Sequence, residues 1–481
     1  MPIGVRVRDF RVGLVDCRLR IPFRFGVTTL TAAPHATVRV EIEDEQGERA
    51  VGFSGDLLAP KWFDKDLGKS NEENFEDLLA STERAMVAFA EPAAGHATVF
   101  EHWRRAYGAC HGSGGDDPSA ALVSGFGVAL CERAIIDAAC RMVGLSFAAA
   151  LREDLLGFRP GVVWPELEGW DHAADLGAPP QESIIVRHTV GMADALRPAD
   201  VGQGDRLDDG LPECLVDDIQ RYGLNTFKLK LCGDKDEDLG RLLAFSAVVG
   251  EYVPEGLCVT VDANEQFADV ADVVRLFEEL GRREGGPRVL DALQLVEQPL
   301  ARHVSFDADR TAAMGDLAAF APCIIDEADV AVDAFDRALE CGYRGVSVKN
   351  CKGVFRALIN RGLISARSES PCDLFQSGED LTNLPLLSLQ QDLVTQAALG
   401  MAHVERNGHH YFRGLLHLPD PEIIQALAEH PDLYEVRDGL PQLRIVDGVL
   451  AMGSLHGPGY GHASDVDMDA RVPVDAWRGH K

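Results

Sequence analysis

Two rhythms of apolar and polar positions divide the chain. Over residues 5–53 apolar and polar side chains alternate, as in Ala-Thr-Val-Arg-Val-Glu-Ile at 36–42, and Glu45-Gln46-Gly47-Glu48 supplies a turn, so an antiparallel sheet is predicted. The spacing then becomes three to four residues over 71–89 and again over 120–151, where Ala129, Ala134, Ile135, Ala138, Ala139 and Met142 fall on one helical face. Residues 111–118 (HGSGGDDP) between them read as a loop. A β-then-α run of this kind predicts a separate α+β unit over residues 1–155.

From about residue 183 short apolar runs alternate with amphipathic stretches. Strands are predicted at 184–190, 226–231, 257–261, 292–296, 323–325, 345–348, 373–376 and 398–403. Helices fit between them at 214–222, 237–249, 269–280, 307–318, 332–341, 355–365 and 385–395. Eight strands alternating with helices predict a parallel (β/α)8-type barrel over residues 156–415. The long polar segment 191–210 is expected to fold over the barrel mouth. Residues 416–481, with a helix near 421–429 and a strand-like stretch at 443–450, are expected to return to the first unit.

Functional groups of such a barrel sit at the C-terminal ends of its strands. The second strand ends Phe227-Lys228-Leu229-Lys230, and period-two alternation points both lysines inward. The third delivers Asp262, the fourth Glu297, the fifth Asp326 and the sixth Lys349, at intervals of 23 to 35 residues, each about one βα repeat. Three converging hard oxygen ligands suit Mg²⁺. A lysine acts as a base only after losing its proton, and the neighbouring ammonium of Lys228 and a divalent cation are expected to lower the pKa of Lys230 towards neutrality.

Composition sharpens this picture. The chain carries nine lysines against thirty-seven arginines, yet Lys228, Lys230 and Lys349 fall on inward strand ends. Arg holds its charge permanently whereas Lys can release a proton, so the choice of Lys here points to proton transfer. A net charge of −31 opposes binding to nucleic acid or to an anionic membrane. No uninterrupted apolar run reaches the roughly 18 residues of a membrane span, and six arginines interrupt the first thirty residues, so no export signal is expected and the protein is expected to be cytoplasmic. Eleven cysteines without metal-ligand spacing are expected to pack as small apolar residues in a reducing compartment.

Taken as a set, Lys228-x-Lys230, Val261-Asp262-Ala263-Asn264, Glu297-Gln298-Pro299, Asp326-Glu327 and Lys349 resemble the enolase superfamily, and the sixth-strand lysine resembles its muconate-lactonizing branch. The resemblance implies a modified (β/α)7β TIM-type barrel under an α+β capping domain built from the N-terminal region and the C-terminal tail. It implies that Asp262, Glu297 and Asp326 bind Mg²⁺, which holds a small-molecule carboxylate substrate. Lys230 and Lys349 would be the acid/base pair on opposite faces of the substrate, with Lys228 stabilising the enediolate. Racemisation or epimerisation, elimination and cycloisomerisation stay open. So do acid-sugar dehydration, with Lys349, His403, His409 or His410 as the acid, and a non-catalytic metal-binding barrel. Asn264, Glu327, Glu405, His409 and His410 are further candidates for supporting the metal or touching substrate; Glu327 faces the opposite side from Asp326. The resemblance also implies a homo-oligomer. Insertions at 62–81, 96–118 and 191–210 lengthen the chain beyond small members of the family, while Gly457-Pro458-Gly459-Tyr460-Gly461 lacks the strand-to-helix context of a phosphate cradle.

Overall fold

The computed structural model describes residues 1–91, 95–111, 117–370 and 373–479. Residues 112–116 of the expected 111–118 loop, and Cys372, lie outside this set. Three antiparallel strands open the chain: β1 (Val5–Phe25), β2 (Thr28–Asp44) and β3 (Arg49–Leu57). Helices α1 (Asn71–Phe89), α2 (Val99–His111) and α3 (Pro118–Val143) follow. Their ends are sequence-coded. Ser70 and Glu73 form a reciprocal capping box at α1, while Asp117 caps α3 ahead of Pro118, and Gly144 closes it in the left-handed region at φ 70°.

Among the described residues, one helix has the length and mean hydropathy of a membrane span, although charged residues interrupt its apolar run, as the sequence reading holds. It is α3, and 83% of its apolar window is buried inside the protein. There it packs on β3 so closely that a Cβ on Gly52 would stand 2.2 Å from the Ala134 carbonyl oxygen and 2.3 Å from the Ala138 nitrogen. Three buried charged side chains interrupt its apolar surface, and each has a buried partner. Arg133 pairs with Asp56 at 2.6 Å, Asp137 accepts from the Phe53 and Tyr460 amides, and Glu132 accepts from the Val354 and Phe355 amides.

The second unit is a closed parallel barrel. Its strands are β4 (Ser183–Val190), β5 (Thr226–Lys230), β6 (Cys258–Asp262), β7 (Leu293–Glu297), β8 (Cys323–Ile325), β9 (Gly345–Val348), β10 (Phe375–Gly378) and β11 (His403–Arg406). Neighbours pair in that order, and β11 closes the ring on β4 through Val404 opposite Val186. Helical segments lie in the seven connections, giving the (β/α)7β arrangement.

Two strands lie later than expected. The stretch read as the eighth strand, 398–403, is the end of the helix Leu387–Ala398 and a turn through Gly400, whose φ is 76°. The seventh begins at Phe375 rather than 373 and continues to Gly378. The helix expected at 307–318 shrinks to Met314–Leu317, because the Ser305 and Thr311 hydroxyls donate to nearby backbone carbonyls and favour turns.

The tail divides its contacts. A hairpin of β12 (Tyr434–Arg437) and β13 (Leu440–Leu443) precedes a second, β14 (Ile445–Val446) and β15 (Val449–Ala451), whose β15 pairs antiparallel with the start of β4. Only the last strand, β16 (Val472–Pro473), returns to β1 as expected.

Gly52→Ala should destabilise the protein by about 1–3 kcal/mol, because backbone atoms must move to admit the methyl group. Gly108→Ala, on α2 with no atom within 4 Å of the added Cβ, should stabilise by about 0.4–1 kcal/mol. Urea midpoints that shift in opposite directions will check both.

Candidate active site

Alternation along the strands turns their polar positions into the barrel. On β5, Lys228 and Lys230 point inward while Phe227 and Leu229 pack outward among the surrounding helices. Lys228 lies at the centre. Its Nζ is 2.6 Å from Glu297, 2.7 Å from Glu379, 2.8 Å from Glu405 and 3.1 Å from Asp262, all four fully or almost fully buried. Lys230 Nζ donates to Asp262 Oδ2 at 2.5 Å. Across the mouth, Lys349 Nζ is 2.6 Å from Asp326 Oδ2 and 4.0 Å from Glu297. The structure thus brings all six strand-end residues together.

Carboxylates set the electrostatics of the buried lysines Lys228 and Lys349. Burial opposes the charge of Lys228, but Asp262, Glu297, Glu379 and Glu405 outweigh it and raise its pKa well above the usual lysine value. Lys349 is raised in the same way by Asp326 and Glu297. Glu297 shows the converse: burial and then Asp262 and Glu379 push its carboxyl well above the usual range.

Two residues missed in the sequence complete the ring. Glu379, at the end of β10, accepts from Lys228 and pairs with Arg187, which projects inward from β4. Lys352 donates to Ser347 at 2.6 Å and pairs with Asp329 at 2.9 Å, bracing the turn that carries Lys349. Continuing the repeat interval beyond Lys349 leads to Glu379, thirty residues on; the apolar-run search passed over it because that strand presents Ser377 and Glu379 inward. Glu405 lies inside β11, where it accepts from Thr189 at 2.6 Å as well as from Lys228.

The other candidates divide. Asn264 donates its backbone amide to Asp262 Oδ1 at 2.9 Å and its side-chain amide to Glu327 at 3.3 Å, so both belong to the mouth. His409 and His410 are directed elsewhere. His409 bonds His188, an outward residue of β4, at 3.0 Å, and His410 pairs with Asp218 at 2.8 Å on the helix Leu215–Tyr222. Neither joins the lysine ring.

Residues 61–65 of the cap cover the mouth. The Trp62 ring centroid is 4.7 Å from Lys349 Nζ. Arg302, in the segment after β7, donates to the Trp62 and Phe63 carbonyls at 2.8 and 2.6 Å, and Lys65 donates to the Asn264 carbonyl at 2.8 Å.

Hard-oxygen donors on three consecutive strands fit Mg²⁺ by chemistry; neither oxygen of buried Glu297 accepts a hydrogen bond, and its one close partner is the Lys228 ammonium 2.6 Å from Oε2. Ammonium groups now stand among these carboxylates. Among the described residues, the triplets whose ligand atoms lie within 4.8 Å of one another are instead His188/Asp218/His409 and Glu429/His430/His462.

No protein-family model and no curated protein matches the chain. Solved structures do. The muconate lactonizing enzyme of Mycobacterium smegmatis, complexed with muconolactone, aligns at a TM-score of 0.63 with 19% identity over 98% of this chain and 100% of that one. The N-succinyl Arg/Lys racemase of Bacillus cereus aligns at 0.61 with 15% identity over 98% of both chains. The dipeptide epimerase of Cytophaga hutchinsonii, complexed with Mg and a dipeptide, aligns at 0.57 with 13% identity, again over 98% of both. The expected fold, a (β/α)7β barrel under an α+β cap, is therefore shared with these solved structures.

One acid-stability prediction follows from the cap contact. Burial alone would raise the Glu265 carboxyl, but Lys65 and Arg302 hold it down at about 2. Its folded pKa lies below the ordinary 4.5, so its contribution to stability is complete above that pH and is lost as pH falls towards 2. Glu265→Gln should flatten the pH dependence of the urea midpoint across that window.

Proposed function

We propose that the chain is an enolase-superfamily enzyme that removes the α-proton of a small carboxylate substrate and then returns it or completes an elimination or cycloisomerisation. The observation that carries this reading is the buried ring of Lys228, Lys230 and Lys349 with Asp262, Glu297 and Asp326 beneath Trp62. The solved structures of like fold include a racemase, a dipeptide epimerase and a muconate lactonizing enzyme, which supports this reaction class.

Asp262, Glu297 and Asp326 would hold Mg²⁺, which supplies Lewis-acid stabilisation of a carboxylate gaining negative charge. The rest falls to the chain. Lys230 on β5 and Lys349 after β9 stand across the barrel from each other, so one takes a proton from the α-carbon and the other serves the opposite face. Asp326 and Glu297 favour the charged form of Lys349. Lys228, held as a permanent cation, opposes the charge that develops in the enediolate, and it needs no reorganisation to do so. Glu405 and Glu379 fix its position. Trp62 and the bonds from Arg302 and Lys65 exclude water from above.

The test is deuterium exchange at the α-carbon in D2O with panels of dipeptides, N-acylamino acids and muconate-type acids. The wild type should incorporate deuterium with one panel; Lys230→Ala and Lys349→Ala should each lower turnover by about 10² to 10⁴. If the reaction is a racemisation, each variant should retain exchange of one antipode only. No incorporation with any panel would overturn the reading. Asp262→Asn should weaken Mg²⁺ binding in a calorimetric titration, and unchanged affinity would remove Asp262 from the ligand set.

A further inference from the structure

Away from the barrel mouth, the C-terminal tail gathers three donor groups around one point. Glu429 ends the helix Asp420–Glu429, His430 caps it, and His462 comes from the segment after Gly461. One ligand atom from each lies within 4.8 Å of the others. Glu429 Oε2, His430 Nε2 and His462 Nδ1 are all buried and accept or donate no hydrogen bond. Three buried polar atoms left unpaired at one place incur a desolvation penalty that nothing in the protein offsets.

The surroundings orient each group. His430 Nδ1 is bonded to Ser454 Oγ at 2.9 Å, and Ser454 is itself fixed by its amide on Asp432 at 2.9 Å; this aims Nε2 at the cluster. Ser464 and Gln425 both donate to Glu429 Oε1, which leaves Oε2 facing the imidazoles. Arg141 donates to the carbonyls of His462, Ala463 and Ser464 at 2.7, 3.1 and 3.0 Å and pins that segment from the other side. The carbonyl end of a ten-residue helix carries partial negative charge, which favours a cation. The triplet His188/Asp218/His409 differs, because His188 Nδ1 and His409 Nε2 already bond to each other.

We propose that Glu429, His430 and His462 form a binding site for one divalent transition-metal ion of the Zn²⁺ type, which clips the tail helix to the segment 462–464. Two imidazoles and one carboxylate suit Zn²⁺, or Co²⁺ as its spectroscopic substitute, and leave a fourth position for water. Mg²⁺, which demands oxygen ligands, would not compete.

The test uses full-length, tag-free protein stripped of metal with EDTA and titrated with Co²⁺ in excess Mg²⁺. One equivalent should bind with the intense visible bands of a four-coordinate ion, and Zn²⁺ should displace it and raise the melting temperature. Glu429→Gln and His462→Gln should each weaken binding by about tenfold or more, by analogy with the smallest losses seen for ligand-supporting residues. Metal-free melting temperatures of the variants, compared with the wild type, separate loss of a ligand from loss of fold. His409→Ala should leave the Co²⁺ spectrum unchanged. Absence of the bands in the wild type, or bands that survive His462→Gln but vanish in His409→Ala, would overturn the assignment.

Discussion

The buried ammonium of Lys228 is the constraint around which the barrel interior is organised. Placing one charge out of water costs several kcal/mol, and four carboxylates from four different strands share the task of compensating it. The compensation runs both ways. Without the lysine, Glu297 and Glu405 would lose their nearest cation, and Asp262 and Glu379 would be left to Lys230 and Arg187. The charge therefore fixes the relative positions of β5, β6, β7, β10 and β11, and with them the geometry in which Lys230 and Lys349 face each other. Arg187 extends the network one strand further through Glu379.

The cap works against this polar interior in a complementary way. The barrel supplies charge and alignment, whereas the cap supplies an aromatic surface over Lys349 and a cation, Lys65, that also touches Glu327. Arg302 is the joint between the two, since the same guanidinium pairs with Glu265 and donates to two backbone carbonyls of the cap.

Much of this was legible in the sequence because strand ends impose a strict rule: an inward residue two positions after another must share its face. Lys228, Lys230, Asp262, Glu297, Asp326 and Lys349 obeyed that rule next to clear apolar runs. Glu379 and Glu405 were harder to read. Their strands are four residues each and carry polar side chains inward, so the apolar signal was weak for β10 and shifted into a helix end for β11. Glu405 was noticed as a mouth residue without its role beside Lys228. Trp62 and Lys352 left no periodic signal, since a turn or a cap loop sets their positions. His409 and His410 misled for a related reason: adjacency to a strand end does not reveal which side of the barrel wall a ring will occupy.

Helix α3 carries a consequence for how the molecule comes apart. Arg133 is committed to the cap sheet, Glu132 to the helix that follows Lys349 in the barrel, and Asp137 to both the sheet and the tail. Opening any one of these contacts strands a charge in the interfaces that the others maintain. Cap, barrel and tail are thereby fused into one cooperative unit, in which the cap cannot melt while the barrel stays folded.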